Sequence, residues 1–151
     1  MKMIVDTREK PQAIKGILTY FDRKSIEVIR EALPIGDYMI EGQPRLIVDR
    51  KHDLRELATN LLSRDRARFY REVRRARAAG VRLVILCEEA GIGTYRDVVS
   101  WQTEYGKVSG KALADAIYRL EVAYGVQTFF CDRRSTGKRI LEILTEGEAG
   151  D

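Results

Sequence analysis

The run VRLVILCEE, residues 81–89, most narrows what this chain can fold into. Leu83 to Cys87 are apolar without a break. A strand with one wet face alternates apolar and polar residues; a continuous run belongs to a strand buried on both faces. The chain is therefore expected to build an α/β fold, a mixed central sheet with helices on both faces. With 151 residues there is room for one domain with a real core and little room for two.

The flanking segments fit that frame. MIVD opens as a short strand, and PQAIKGILTYFDRK follows with Ile14, Leu18 and Phe21 at helical spacing. SIEVIREAL reads as a strand that Pro34 ends, and 37–41 with 45–51 read as a hairpin turning through Gly42 and Pro44. DLRELATNLL places Leu54, Leu57, Ala58, Leu61 and Leu62 on one helical face. Continuing that phase would bury Asp65, so a break is expected near 63–65 and a new helix to about Ala79, with Phe69, Val73 and Ala76 inward. Residues 90–110 hold four of the twelve glycines and read as a long loop with a helical turn at 95–101. A helix with Leu113, Ala116, Ile117, Leu120 and Ala123 in phase, the strand VQTFFCD and a last helix complete the order β-α-β-β-β-α-α-β-α-β-α.

The hairpin poses a problem. A turn centred on Gln43 sets Ile40 against Leu46, Tyr38 against Val48 and Asp37 against Asp49. Like charges directly opposite one another on paired strands are destabilising. Lys51 lies two residues beyond Asp49 and shares its face, whereas Arg50 and His52 point the other way. Two converging carboxylates beside an ammonium make a hard-oxygen site for a divalent cation such as Mg²⁺. Such an ion lowers the pKa of bound water and neutralises charge on a phosphate. The expected metal ligands are Asp37 and Asp49. A second DRK, at Asp22–Lys24, ends a helix with no acid in register and reads as plain surface.

Charge is unevenly spread. The chain carries +4 overall, yet eight arginines between Arg64 and Arg82 face only Asp65 and Glu72, a local +6 that leaves the rest at −2. A basic stripe of this kind suits a phosphate track. Trp101 and Tyr105 could stack on bases or pack a dimer interface. Neither GKVSGKA nor STGKR has the spacing of an ATP-binding phosphate loop, and Cys87, Cys131 and His52 match no zinc pattern. With no membrane-length apolar run and no signal peptide, the expected location is cytoplasmic or nucleoid-associated, with no membrane partner and with reduced, buried thiols.

VDTRE (5–9), GDY (36–38) and VDRK (48–51), in that order, resemble the XPF-type structure-specific nuclease domain, which has the restriction-endonuclease-like fold of the PD-(D/E)xK superfamily. The strand 81–89 and the run SGKALADAIYRLEVAYGVQTFFCD resemble later parts of the same domain, in the manner of short stand-alone phage or microbial forms. The resemblance implies a nuclease domain over 1–151 cutting branched or flapped DNA with Mg²⁺, for which Mn²⁺ could substitute; as a departure from the family, a single domain without a helix-hairpin-helix domain is expected. It implies pairing with a second copy or a partner subunit, and roles in DNA repair or recombination. Asp6, Asp37, Asp49, Arg50 and Lys51 fall on the family's catalytic positions, with Arg8 and Glu9 in its first motif. Expected DNA contacts are Arg8, Arg64, Arg66, Arg68 and Arg71. There are departures: Asp49 stands where the family usually has Glu, and Arg55 where it usually has Asp. The alternative reading is a catalytically idle DNA-binding or dimerisation module of the same fold.

Overall fold

The computed structural model of the protein describes residues 1–102 and 108–149. Six strands form one sheet: β1 (Lys2–Val5), β2 (Glu27–Arg30), β3 (Tyr38–Ile40), β4 (Leu46–Lys51), β5 (Arg82–Glu88) and β6 (Gln127–Cys131), in the spatial order β2-β1-β3-β4-β5-β6. The β1–β2, β4–β5 and β5–β6 pairs are parallel; β3 runs antiparallel to both neighbours, so the hairpin lies at the centre of a mixed sheet. Its register sets Tyr38 against Val48, as a turn at Gln43 requires.

Five helices cover the two faces: α1 (Lys15–Arg23), α2 (Leu54–Leu62), α3 (Arg66–Ala78), α4 (Gly110–Tyr124) and α5 (Thr136–Ala149). β5 shows why both sides are dry. Leu83, Ile85 and Cys87 join the core under α2, α3 and α4, while Val84 and Leu86 join the core under α1 and α5. Each such side chain, fully buried, contributes roughly 1.5–3 kcal/mol.

The helix break falls where the buried phase of α2 would have reached Asp65. α2 stops at Leu62, and α3 restarts with Phe69, Val73 and Ala76 inward. Asp53 caps α2, its side chain accepting the Glu56 N–H at 2.8 Å. Three local expectations shift. Residues 11–14 form a turn, so α1 begins at Lys15, and Ile17 rather than Leu18 takes the fully buried place. Ala123 is exposed, because α4 turns its last inward residue, Leu120, to the core and then ends at Gly125. The helical turn expected at 95–101 is a 3-10 turn, Tyr95–Ser100, closed by a capping box between Thr94 and Asp97. No helix among the described residues is long and apolar enough to cross a membrane.

Candidate active site

β4 alternates like any strand, and that alternation sorts its charges. Asp49 and Lys51 follow Ile47 onto the α2–α3 side, while Arg50 follows Val48 onto the α1–α5 side. Both Asp49 and Lys51 are buried, 5% and 8% exposed. The Lys51 ammonium lies 3.2 Å from Asp49 Oδ2 and 5.0 Å from the centre of the Phe69 ring on α3.

Asp37 meets them just before β3. Its N–H donates to Val48 O at 2.9 Å, its carbonyl accepts the Asp6 N–H at 2.8 Å, and its Oδ2 accepts the Arg50 N–H at 2.9 Å. The preceding glycine makes this approach feasible. Gly36 has φ +68°, and a Cβ there would stand 2.5 Å from Ile47 Cγ2. Asp37 and Asp49 come within hydrogen-bonding reach of each other. Burial first, then the Asp49 charge, the hydrogen bond to Asp49 and the Glu9 charge hold the Asp37 carboxyl far above the ordinary carboxylate range. At neutral pH the Asp37 carboxyl therefore keeps its proton. Lys51 experiences the opposite influence. Burial works against its charge, but Asp49, Glu56 and Asp37 outweigh it and keep the amine an ammonium.

On the reverse face Arg50 is fully occupied. Its Nε donates to Glu9 Oε2 at 2.6 Å, and its Nη1 donates to Glu88 Oε1. Tyr38 Oη donates to the same Glu9 oxygen at 2.7 Å, and Thr136 Oγ1 donates to Glu88 Oε2 at 2.6 Å. Burial opposes the guanidinium charge, and Glu9 and Glu88 more than restore it. Arg50 is thus a buried brace, with its backbone N–H on Asp37 as its link to the acid pair.

Asp6 is buried and satisfied. Its Oδ2 accepts from Arg8 N–H at 3.0 Å and Arg8 Nε at 2.6 Å, and its Oδ1 accepts the Leu33 N–H at 2.8 Å. Burial alone would raise its pKa; these bonds, led by the guanidinium, bring it below the ordinary value. Asp6 therefore starts a turn that ties the end of β1 to the 33–36 segment. Arg8 spans that turn, reaching the carbonyls of Leu33 and Gly36, with 65% of its side chain still exposed.

Arg64, Arg66, Arg68 and Arg71 are all exposed, Arg64 just ahead of α3 and the other three on it. Glu72 is engaged: it accepts the Gly36 N–H at 3.2 Å and so holds α3 to the acid-bearing turn. His52 is exposed and bonded to Glu56. Trp101 packs against the core beneath the 3-10 turn, and Tyr105 lies outside the described residues. Asp22 and Lys24, the second DRK, are exposed. Glu88 and Thr136 escaped the sequence reading. For Glu88 a signal existed, since strand alternation places it with Val84 and Leu86 on the face that Arg50 shares; Thr136 had none.

Among the described residues no group of three or more His, Cys, Asp or Glu side chains could hold a metal ion. The donor set at Asp37 and Asp49 is two carboxylates, and any further ligands there would be water or a phosphate oxygen.

Residues 5–144 match the family model described as the ERCC4 domain. No curated protein matches the chain. Among solved structures, XPF from Aeropyrum pernix superposes with a TM-score of 0.72 at 21% identity, covering 98% of this chain and 65% of that one. A second structure, of the same protein in complex with DNA, gives 0.71 at 20% identity, covering 99% and 66%. The chain thus spans just under two thirds of those structures. Likeness at this identity establishes the fold, and the resemblance drawn from the three motifs holds.

Proposed function

The chain belongs to the ERCC4 domain family, and from that premise we propose that it is a metal-dependent endonuclease that hydrolyses phosphodiester bonds in branched or flapped DNA. The observation that supports this most is the acid pair: two carboxylates pressed together by neighbouring strands, with an ammonium 3.2 Å from one of them. A structural role would be better served by separating them. A divalent ion fits the pair because it brings positive charge to two carboxylates that otherwise face each other; Mg²⁺ is the natural occupant and Mn²⁺ a substitute. When bound, that ion would polarise the phosphate and supply an activated water.

The chain's own groups then take the following parts. Asp37 and Asp49 hold the ion. Lys51 remains an ammonium among carboxylates, so it donates a hydrogen bond and stabilises negative charge developing on the phosphate. Arg50 fixes Asp37 through its backbone N–H. Asp6 positions the same turn through its own backbone contact with Asp37. Arg8, Arg64, Arg66, Arg68 and Arg71 carry the flanking phosphates. The domain pairs with a second copy or a partner subunit; Val99, Tyr118 and Val122, exposed at 52%, 49% and 66%, are with Met1 the exposed large apolar residues among those described.

The test is cleavage of labelled flap, fork and four-way-junction DNA with Mg²⁺. Asp37→Ala and Lys51→Ala are each expected to lose about 10²-fold or more in rate. Asp22→Ala and Lys24→Ala, the surface copy of the same triplet, should cut like wild type. Full activity in Asp37→Ala would end this reading and leave an idle module.

A further inference from the structure

α3 is a basic helix in which two residues turn to other work. Of its thirteen residues six are arginine, and Glu72 is its one acid. The hydrogen bond of that acid goes to a backbone group, the Gly36 N–H at 3.2 Å, next to Asp37. Phe69 stands three residues earlier, a spacing that makes the two side chains neighbours on the helix surface. Phe69 is 5% exposed, and the centre of its ring lies 5.0 Å from Lys51 Nζ. One turn of α3 therefore reaches both halves of the acid–ammonium site, Lys51 directly and Asp37 through its neighbour.

Both halves need a second hold. An ammonium is a compact charge on a flexible four-carbon stem, and one carboxylate does not fix its direction. Asp49 holds Lys51 at 3.2 Å. The Phe69 ring adds an attraction through its quadrupole and, being neutral, leaves the ammonium charge intact. A second carboxylate in its place would cancel that charge, as Glu9 and Glu88 do for Arg50. The Asp37 turn has a different weakness. It runs through Gly36 at φ +68°, and glycine is the residue with the most backbone freedom to lose. The Glu72 carboxylate pins that glycine by its N–H.

We propose that Phe69 and Glu72 are positioning residues for cleavage, Phe69 aiming Lys51 and Glu72 fixing the turn that carries Asp37. The inference rests on the nuclease reading and deepens it. Neither residue acts on DNA itself. Arg68 and Arg71, in the same turn of α3, are exposed and carry that contact, so grip and positioning come apart by substitution.

The experiment is single-turnover cleavage of labelled flap DNA in Mg²⁺, which gives a maximal rate and the protein concentration that reaches half of it. Phe69→Leu keeps an apolar side chain and removes the ring face. It should lower the maximal rate about three- to thirtyfold, with the half-saturating concentration within about twofold. The same change made in Lys51→Met should cost nothing further, because no ammonium is left to aim. Phe69→Met is the second probe should leucine pack poorly, and melting midpoints show that each variant is folded at the assay temperature. Glu72→Leu should lose maximal rate in the same range, and Glu72→Gln, which keeps an acceptor oxygen, should recover most of it. A folded Phe69→Leu that cuts at the wild-type rate overturns the proposal, as does an equal fold loss in the Lys51→Met background. Glu72→Gln no better than Glu72→Leu overturns the part assigned to Glu72. A wild type that cuts nothing removes the nuclease reading and this inference with it. A wild type that cuts while Phe69 and Glu72 prove indifferent removes this inference alone.

Discussion

The two faces of β4 hold the same charges and use them in opposite ways. On one, Asp37 and Asp49 meet Lys51; on the other, Glu9 and Glu88 meet Arg50. Each is two acids and one cation. Arg50 spreads its planar donors over both of its acids, and Tyr38 and Thr136 supply hydroxyl donors to the same two carboxylates. Lys51 bonds one acid, and the other acid is left to face its twin. Charge count therefore does not distinguish a brace from a binding site. Donor geometry does: the satisfied set holds the sheet to α5, and the other leaves Asp37 facing Asp49.

The largest effect should come from breaking the brace. Arg50→Met strands two buried carboxylates and is expected to cost about 3–5 kcal/mol, because removing one partner of a buried ion set leaves uncompensated charge. Lys51→Met should cost less, about 1–3 kcal/mol, because it strands one buried carboxylate, Asp49, where Arg50→Met strands two. Urea titration of both proteins without metal measures the difference. Equal losses would mean the two faces are equivalent after all.

A sharper version trims the brace without dismantling it. Tyr38→Phe and Thr136→Val each remove one hydroxyl bond to a buried carboxylate, worth roughly 1.5–3 kcal/mol. Neither hydroxyl touches the acid pair, so cleavage by the folded variants should stay near wild type. A large drop in rate at full folding would move the brace into the catalytic machinery.

The comparison also separates what the residues disclosed from what they hid. The hairpin register was legible because a strand's period is two and Gly42 and Pro44 marked the turn; Tyr38 against Val48 followed. The break between α2 and α3 was legible because Asp65 could not continue a buried phase. The brace was not. Glu9, Arg50, Glu88 and Thr136 lie far apart in the chain, and nothing local says that a helix arriving last will set Thr136 beside the end of β5. The partners of Asp6 are hidden for a related reason: an acid after a strand looks the same in sequence whichever N–H it meets, here that of Leu33.

The smallest expected effect runs in the opposite direction, toward stability, and its pH dependence tests the frustration itself. Asp37 titrates well above its unfolded value of 3.8, so the folded chain binds a proton that the unfolded chain has released. Its contribution is fully present below the unfolded pKa and is lost as pH rises toward the folded one, near 9. Metal-free wild type should therefore weaken steadily from about pH 4 into the alkaline range. Asp37→Asn keeps an oxygen for the Arg50 N–H and offers an amide hydrogen to Asp49, so it removes the titration and the repulsion together. A gain on the order of 1–2 kcal/mol at pH 8 is expected, about 2–8 °C in melting midpoint for a chain of this size. Mg²⁺ should then stabilise wild type and leave Asp37→Asn unmoved, because the ion competes with the Asp37 proton. A variant no more stable than wild type at pH 8 would mean that the acids are not in conflict, and the strand pairing that brings them together would need another purpose.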